Sequence, residues 1–257
     1  MDYIFIGLAA LLGSAITLFS GFGLGTILLP IFGLFFPIEI AIVMTSIVHF
    51  ANNILKMLLF GRKSSKNVAV KFGIPAVIFG FIGAYCLKLL LQTQPVFSYH
   101  LFDKIITVYL IKITVGFLLL CFSVIEFVPA IKNTTFNKKW LPLGGVLSGF
   151  FGGLSGHQGA LRSAFLIKSG LSKSSFIATG VVIACMVDVS RLSIYLFDLK
   201  NTTTHLNYKL ILFAVLLAFS GVYIGTKYLQ KTTFKLVQNT VAVFLLLYAI
   251  LLIIGII

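Results

Sequence analysis

The chain has 257 residues, of which 59% are hydrophobic and 10% charged, with a mean hydropathy of +1.10. Soluble domains carry about 25% charged residues, so this composition excludes a soluble enzyme or nucleic-acid-binding domain and describes an all-α polytopic membrane protein. The formal charge of +14 does not reverse that, because most Lys and Arg fall in short loops between apolar stretches, where they set orientation.

The N-terminal MDYIFIGLAALL lacks a basic leader and a cleavage pattern, so it is expected to be retained as the first membrane segment. The apolar block 3–36 is interrupted by Ser20-Gly21-Phe22-Gly23-Leu24-Gly25 and by Pro30. As one helix it would measure roughly 50 Å, too long for one span and short for two. It reads as two short helices folded at the glycines. Pro37 suits the first turn of a helix over 37–60, and further spans are expected over 72–91 and 105–127. Residues 129–140 form a polar cytoplasmic linker between repeats over 1–128 and 141–257. The second repeat has a glycine-broken block at 141–167 and spans at 174–197, 208–229 and 234–257.

The repeat is visible residue by residue. An offset of 135 lays Ser20-Gly21 on Ser155-Gly156, Asn53 on Asp188 and Lys56 on Arg191, without a gap. Loop charges then choose the topology. If each broken block crosses once, the loop cations divide 9 to 7. If each folds back as a hairpin, re-entrant or of two short spans, the halves are inverted and the cations divide 12 to 4. The positive-inside rule favours the second arrangement and places both termini outside the cytoplasm. Inverted repeats with broken helices meeting at the bilayer midplane build many secondary transporters.

Lys56, Lys112, Arg162 and Arg191 remain outside the loops. The stretch GFFGGLSGHQGALRSAF, Gly149 to Phe165, combines glycines with His157, Gln158 and Arg162. An arginine within the bilayer costs roughly 2.5–3.5 kcal/mol on insertion scales, so it calls for a partner or a task. A helix restarting at Gly159 aims free N–H groups into the break. Break, helix start and arginine together describe an anion site, with a glycine packing seam and a snorkelling arginine as the plainer alternative. Substrate binding is therefore assigned to Arg162, to His157 and Gln158 as donors, and to backbone near Gly23, Gly25, Thr26 and Gly159.

On the second span Thr45, His49, Asn52, Asn53 and Lys56 share one helical face. The matching face of the sixth carries Asp188 and Arg191, spaced to pair locally. Lys56 and Arg191 are expected to flank the site, one towards each entrance, with Asn53 and Asp188 orienting them. His49 and Asp188 are the candidates for proton coupling, since histidine titrates in the physiological range. Lys56 snorkelling and a structural Asp188–Arg191 pair are the competing readings. No GxSxG, HExxH or Walker pattern occurs, and Cys86, Cys121 and Cys185 lack metal spacing. Neither catalysis, a metal nor a cofactor is expected.

The motifs SGFGLGTILLP, GFFGGLSGHQGALRSAFL, TSIVHFANNILK and MVDVSRL together resemble the TauE/SafE sulfite-exporter family over nearly the whole chain. The resemblance implies a two-repeat transporter of sulfite or an organosulfonate in the bacterial inner membrane. SGHQGALRS departs from the family's plainer glycine run ending in proline, which directs attention to His157 and Gln158. The resulting expectation is a multi-pass secondary transporter that moves a small anion by alternating access between the two breaks. Its partners are that anion, sulfur-containing by resemblance, and the lipid bilayer; a homodimer is left open. A non-transporting scaffold and a passive anion channel are the alternatives.

Overall fold

The computed structural model describes residues 2–20, 23–127, 135–199, 206–228 and 235–257. Gly21 and Phe22 of the first break, residue 128 at the end of the first repeat and 129–134 of the linker lie outside them. The first half contains α1 (Asp2–Ser20), α2 (Leu24–Gly33), α3 (Ile38–Phe60), α4 (Lys66–Leu91) and α5 (Leu110–Phe127). The second contains α6 (Leu141–Ser155), α7 (Gly159–Leu166), α8 (Lys173–Leu199), α9 (Tyr208–Tyr228) and α10 (Lys235–Ile253). Residues Ile38–Lys63, Lys66–Leu91, Lys173–Phe197 and Tyr208–Tyr228 are each long and apolar enough to cross a membrane. The protein is a multi-pass helical membrane protein.

Two boundaries differ from the sequence expectation. Helix α4 begins at Lys66, because Ser65 stops the preceding turn with extended backbone and its N–H is taken by Thr179 Oγ1 at 2.9 Å. Val68 and Phe72 then bury against Leu141, Phe165 and Ile183 from the other half. More substantially, residues 105–109 do not begin a helix. Strands β1 (Pro95–Leu101) and β2 (Lys104–Tyr109) pair antiparallel, with Leu101 opposite Lys104 across a two-residue turn. Ile105, Ile106, Thr107 and Val108 are β-branched and suit a strand as readily as a helix. The turn holds Phe102 at φ 52°, and Tyr99 Oη donates to Ile254 O at 2.6 Å. Lys112 Nζ reaches Gly255 O at 3.5 Å, which ties that cation to the same chain end.

Helix pairing crosses between the halves. Helix α4 lies along α6 and α8, α1 along α9, α5 along α10 and α3 along α8. Exchanging the halves turns the α1–α9 pair into the α6–α4 pair. In both, small residues bring backbones together, as helices in lipid favour where apolar burial gives no net drive. Gly145, Gly149 and Gly153, one turn apart on α6, face the carbonyls of Phe72, Ala76 and Gly80. On α9, Gly221 and Gly225 face the carbonyls of Leu11 and Ala15. Any Cβ at these positions would meet backbone. The glycines around residue 150 thus divide between two tasks, a packing seam and a break.

Candidate functional site

Helix α6 ends at Gly156, whose φ of 82° is a left-handed conformation suited to glycine. The chain restarts as α7 at Gly159, with Arg162 N bonded to Gln158 O at 3.0 Å. In the first half α2 starts after Gly23. A Cβ on Gly23 would lie 4.0 Å from Gly159 N, so the two helix starts face each other. Gly25 packs near Gly156 O and the His49 ring. The first N–H groups of both short helices have no carbonyl one turn behind them, which gives the junction positive character.

A cavity of about 210 Å³ opens beside this junction. Its wall includes Thr17, Gly23, His49, Asn53, Lys56, Arg162, Ser163 and Lys173, with Leu24, Leu166, Phe176 and Val181 as apolar surface. Among the described residues no carboxylate lines it. Lys56 is 5% exposed and makes no hydrogen bond or ion pair among the described residues. Arg162 is half-buried, and its guanidinium donates from Nη1 to Gln158 Oε1 at 3.3 Å. A buried ammonium without a counter-charge is costly unless something anionic visits it.

Behind the wall lies a buried ionic centre. Asp188, fully buried, pairs with Arg191 at 2.7 Å and with His49 Nδ1 at 2.7 Å. Asn53 Nδ2 donates to its Oδ2 at 3.1 Å and Gln158 Nε2 to its Oδ1 at 3.3 Å. A carboxylate only accepts, so His49 Nδ1 carries the proton and Nε2 is its titrating nitrogen. The centre binds α3 to α8 and to the second break. His49 and Asn53 belong both to it and to the cavity wall, whereas Asp188 and Arg191 line neither this cavity nor the next. Arg191 lies against Gly156, in the interior beside the break.

A second cavity of about 20 Å³, roughly the size of one water, is bounded by Gly23, Thr26, Phe122, His157, Gly159, Ala160 and Leu245. His157 Nδ1 lies 3.0 Å from Ser155 O. A carbonyl only accepts, so Nδ1 bears the proton and the buried Nε2, which has no partner among the described residues, presents a lone pair. His157 in this form accepts rather than donates. Its ring stacks on Phe122, with centroids 5.4 Å apart.

The residues singled out in the sequence therefore gather around one junction in different roles. Lys56, Arg162, Asn53, His49 and Gly23 form the main wall, and Thr26, His157 and Gly159 the smaller cavity. Asp188 and Arg191 form the ionic centre, with Gln158 between. Asn52 leaves its stripe, accepting from Ser14 Oγ of α1 at 2.9 Å. Lys173 and Thr17 on the wall carried no signal, Lys173 because it reads as a loop cation at a helix start.

Among curated proteins none matches the chain. Residues 6–252, nearly its whole length, match the family described as Sulfite exporter TauE/SafE, and the chain belongs to that family of membrane transporters.

Proposed function

We propose that this protein is a secondary transporter of a small anion, sulfite or an organosulfonate, working by alternating access around the junction of its two helix breaks. One observation carries this reading: Lys56 and Arg162 share a cavity of about 210 Å³ whose wall holds no carboxylate among the described residues. Positive groups without internal neutralisation recognise an anion, and the nearby helix starts favour the same charge. A dianion meets the arrangement better than a monoanion, because two cationic heads then find partners. The apolar wall leaves room for a short carbon segment. A dry and fully paired interior would have suited a scaffold.

Residues 1–128 and 141–257 act in this reading as inverted repeats, joined by a cytoplasmic linker, with both termini outside the cytoplasm of a bacterial inner membrane. The exchanged pairs α1–α9 and α6–α4 and their matching glycine seams support two related halves. Alternating access then consists of rocking one half against the other about the junction. His49 and Asp188 carry a coupled proton, His49 being the titratable member that also reaches the cavity.

Thermal shift of the purified protein against sulfite, thiosulfate, sulfoacetate, taurine, phosphate and chloride, beside Arg162→Gln, tests the reading. A ligand that prefers the folded state stabilises it by mass action. The expected result is a shift for a sulfur anion that disappears in the variant. Equal responses in both proteins would remove Arg162 from the site. Counterflow exchange in vesicles separates a carrier from a passive channel, and an unchanged response to a pH gradient in both His49→Ala and Asp188→Asn would remove the proton step.

A further inference from the structure

Gln158 is 1% exposed and lines neither cavity. Its amide is held at both ends: Oε1 accepts from Arg162 Nη1 at 3.3 Å, and Nε2 donates to Asp188 Oδ1 at 3.3 Å. An amide has one accepting and one donating end, so a cation on one side and a carboxylate on the other determine its orientation. The residue itself is anchored. Ser148 Oγ donates to Gln158 O at 3.1 Å, Gln158 N donates to Gly156 O at 3.2 Å, and Gly152 gives its Cβ room. A glutamine that served an anion directly would turn its N–H groups to the cavity. This one turns its donor towards Asp188.

Resting on the reading of the Arg162 cavity as the anion site, we propose that Gln158 is a positioning residue coupling anion occupancy at Arg162 to the His49–Asp188–Arg191 centre. An anion in the cavity draws the guanidinium N–H groups to itself. Gln158 Oε1 then loses its donor, and the amide is released from the orientation that aims Nε2 at Asp188. Asp188 falls back on His49, Asn53 and Arg191, which tightens its hold on the His49 proton. Linkage makes the effect reciprocal: the protonation state of the centre changes the affinity of the cavity by the same factor. The charged and titratable groups around the centre are His49 and Lys56 on α3, Cys185, Arg191 and Tyr195 on α8, Arg162 on α7 and His157 in the break. His49 and Asn53 also reach the cavity, so a direct route competes with the amide, and the experiment must separate them.

The probe is thiosulfate, whose own charge is constant across the neutral range, bound to the full-length protein in lipid nanodiscs at mildly acidic and mildly basic pH. For the natural chain the dissociation constant is expected to change about fivefold or more between the two conditions, the lower end of ordinary coupling energies. In Gln158→Met, similar in length but without an amide, binding persists and the pH dependence disappears. A Gln158→Met protein that keeps the full dependence overturns the proposal in favour of the direct route through His49 and Asn53. A natural chain with no dependence overturns it as well. If Gln158→Met does not fold, Gln158→Ala takes its place under the same criteria.

Failure of the natural chain to bind thiosulfate at all counts against the anion reading of the cavity, not against the bridge. The bridge is then judged without ligand, by a double-mutant cycle of Arg162→Gln and Asp188→Asn in thermal unfolding, with and without Gln158→Met. The interaction between the two sites is expected to fall with the amide to what the direct Coulombic attraction of Arg162 and Asp188 leaves. An interaction that survives undiminished overturns the proposal.

Discussion

The two helix starts face each other across the junction, Gly23 against Gly159, yet they are furnished differently. On the first, Gly23 to Thr26 contribute backbone and one hydroxyl, and α2 buries Leu24, Leu28, Leu29 and Phe32. On the second, His157, Gln158 and Arg162 crowd the same few residues. The long helices that follow differ as well: α3 brings Lys56, His49 and Asn53, while α8 brings Asp188 and Arg191. The lesson is a division of labour between related halves. One break supplies shape and exposed N–H groups, the other supplies charge, and the ion pair of α8 closes across onto α3.

The largest effect is expected at Asp188. Asp188→Ala leaves Arg191 and His49 buried without their acceptor, and removing one member of a buried pair costs about 3–5 kcal/mol. Loss of folded protein or a large fall in Tm in detergent checks this, and a Tm close to that of the natural chain would mean that water already shields the centre. Next comes the seam. Gly149→Ala drives a Cβ into the backbone of Ala76, an overpacking expected to cost about 1–3 kcal/mol in thermal unfolding. A neutral result would show that α4 and α6 separate easily.

The breaks themselves are compared by one substitution made in each. Gly156→Ala places a side chain at φ 82° with its Cβ 2.7 Å from Arg191 Nη1, and the left-handed conformation alone costs about 1–2 kcal/mol. Gly23→Ala sits at φ −81°, with its nearest contact at 3.5 Å, and is expected to change stability by less than about 0.5 kcal/mol. Equal effects at the two positions would erase the distinction between a conformational glycine and a spacious one. The smallest effect has the opposite sign. Lys56→Met removes a buried ammonium that has no partner among the described residues. It should leave Tm unchanged or slightly raised without ligand while weakening anion binding; a clear loss of stability would assign Lys56 a structural role.

Much of this was legible in the chain itself. The composition dictates a helical membrane protein because backbone in lipid must satisfy its hydrogen bonds internally. Both glycine interruptions were visible as breaks, and the spacing of His49, Asn53 and Lys56 put them on one face. The hairpin at 95–109 is not legible in the chain, because a short run such as Ile-Ile-Thr-Val-Tyr carries no period that separates strand from helix. A turn signal was present in Phe102-Asp103, between two apolar runs of suitable length. The glycines at 149 and 153 are indistinguishable in sequence from those of the break, since a glycine that thins a helix and one that seats a neighbour are the same letter.

The chain alone sets the inventory and the local order: which segments prefer lipid, where helices stop, and which polar residues share a turn. These depend on neighbours within a few positions, so local propensity and hydropathy suffice. Partners are set by packing in three dimensions. Asp188 meets His49 from 139 positions away, and Gln158, expected to serve an anion, is turned inwards between Arg162 and Asp188. Lys56 shares a cavity with Arg162, and Arg191 stays in the interior behind it. Such assignments arise from the way two halves cross, and no pattern along a single helix encodes which buried charge a distant chain will bring.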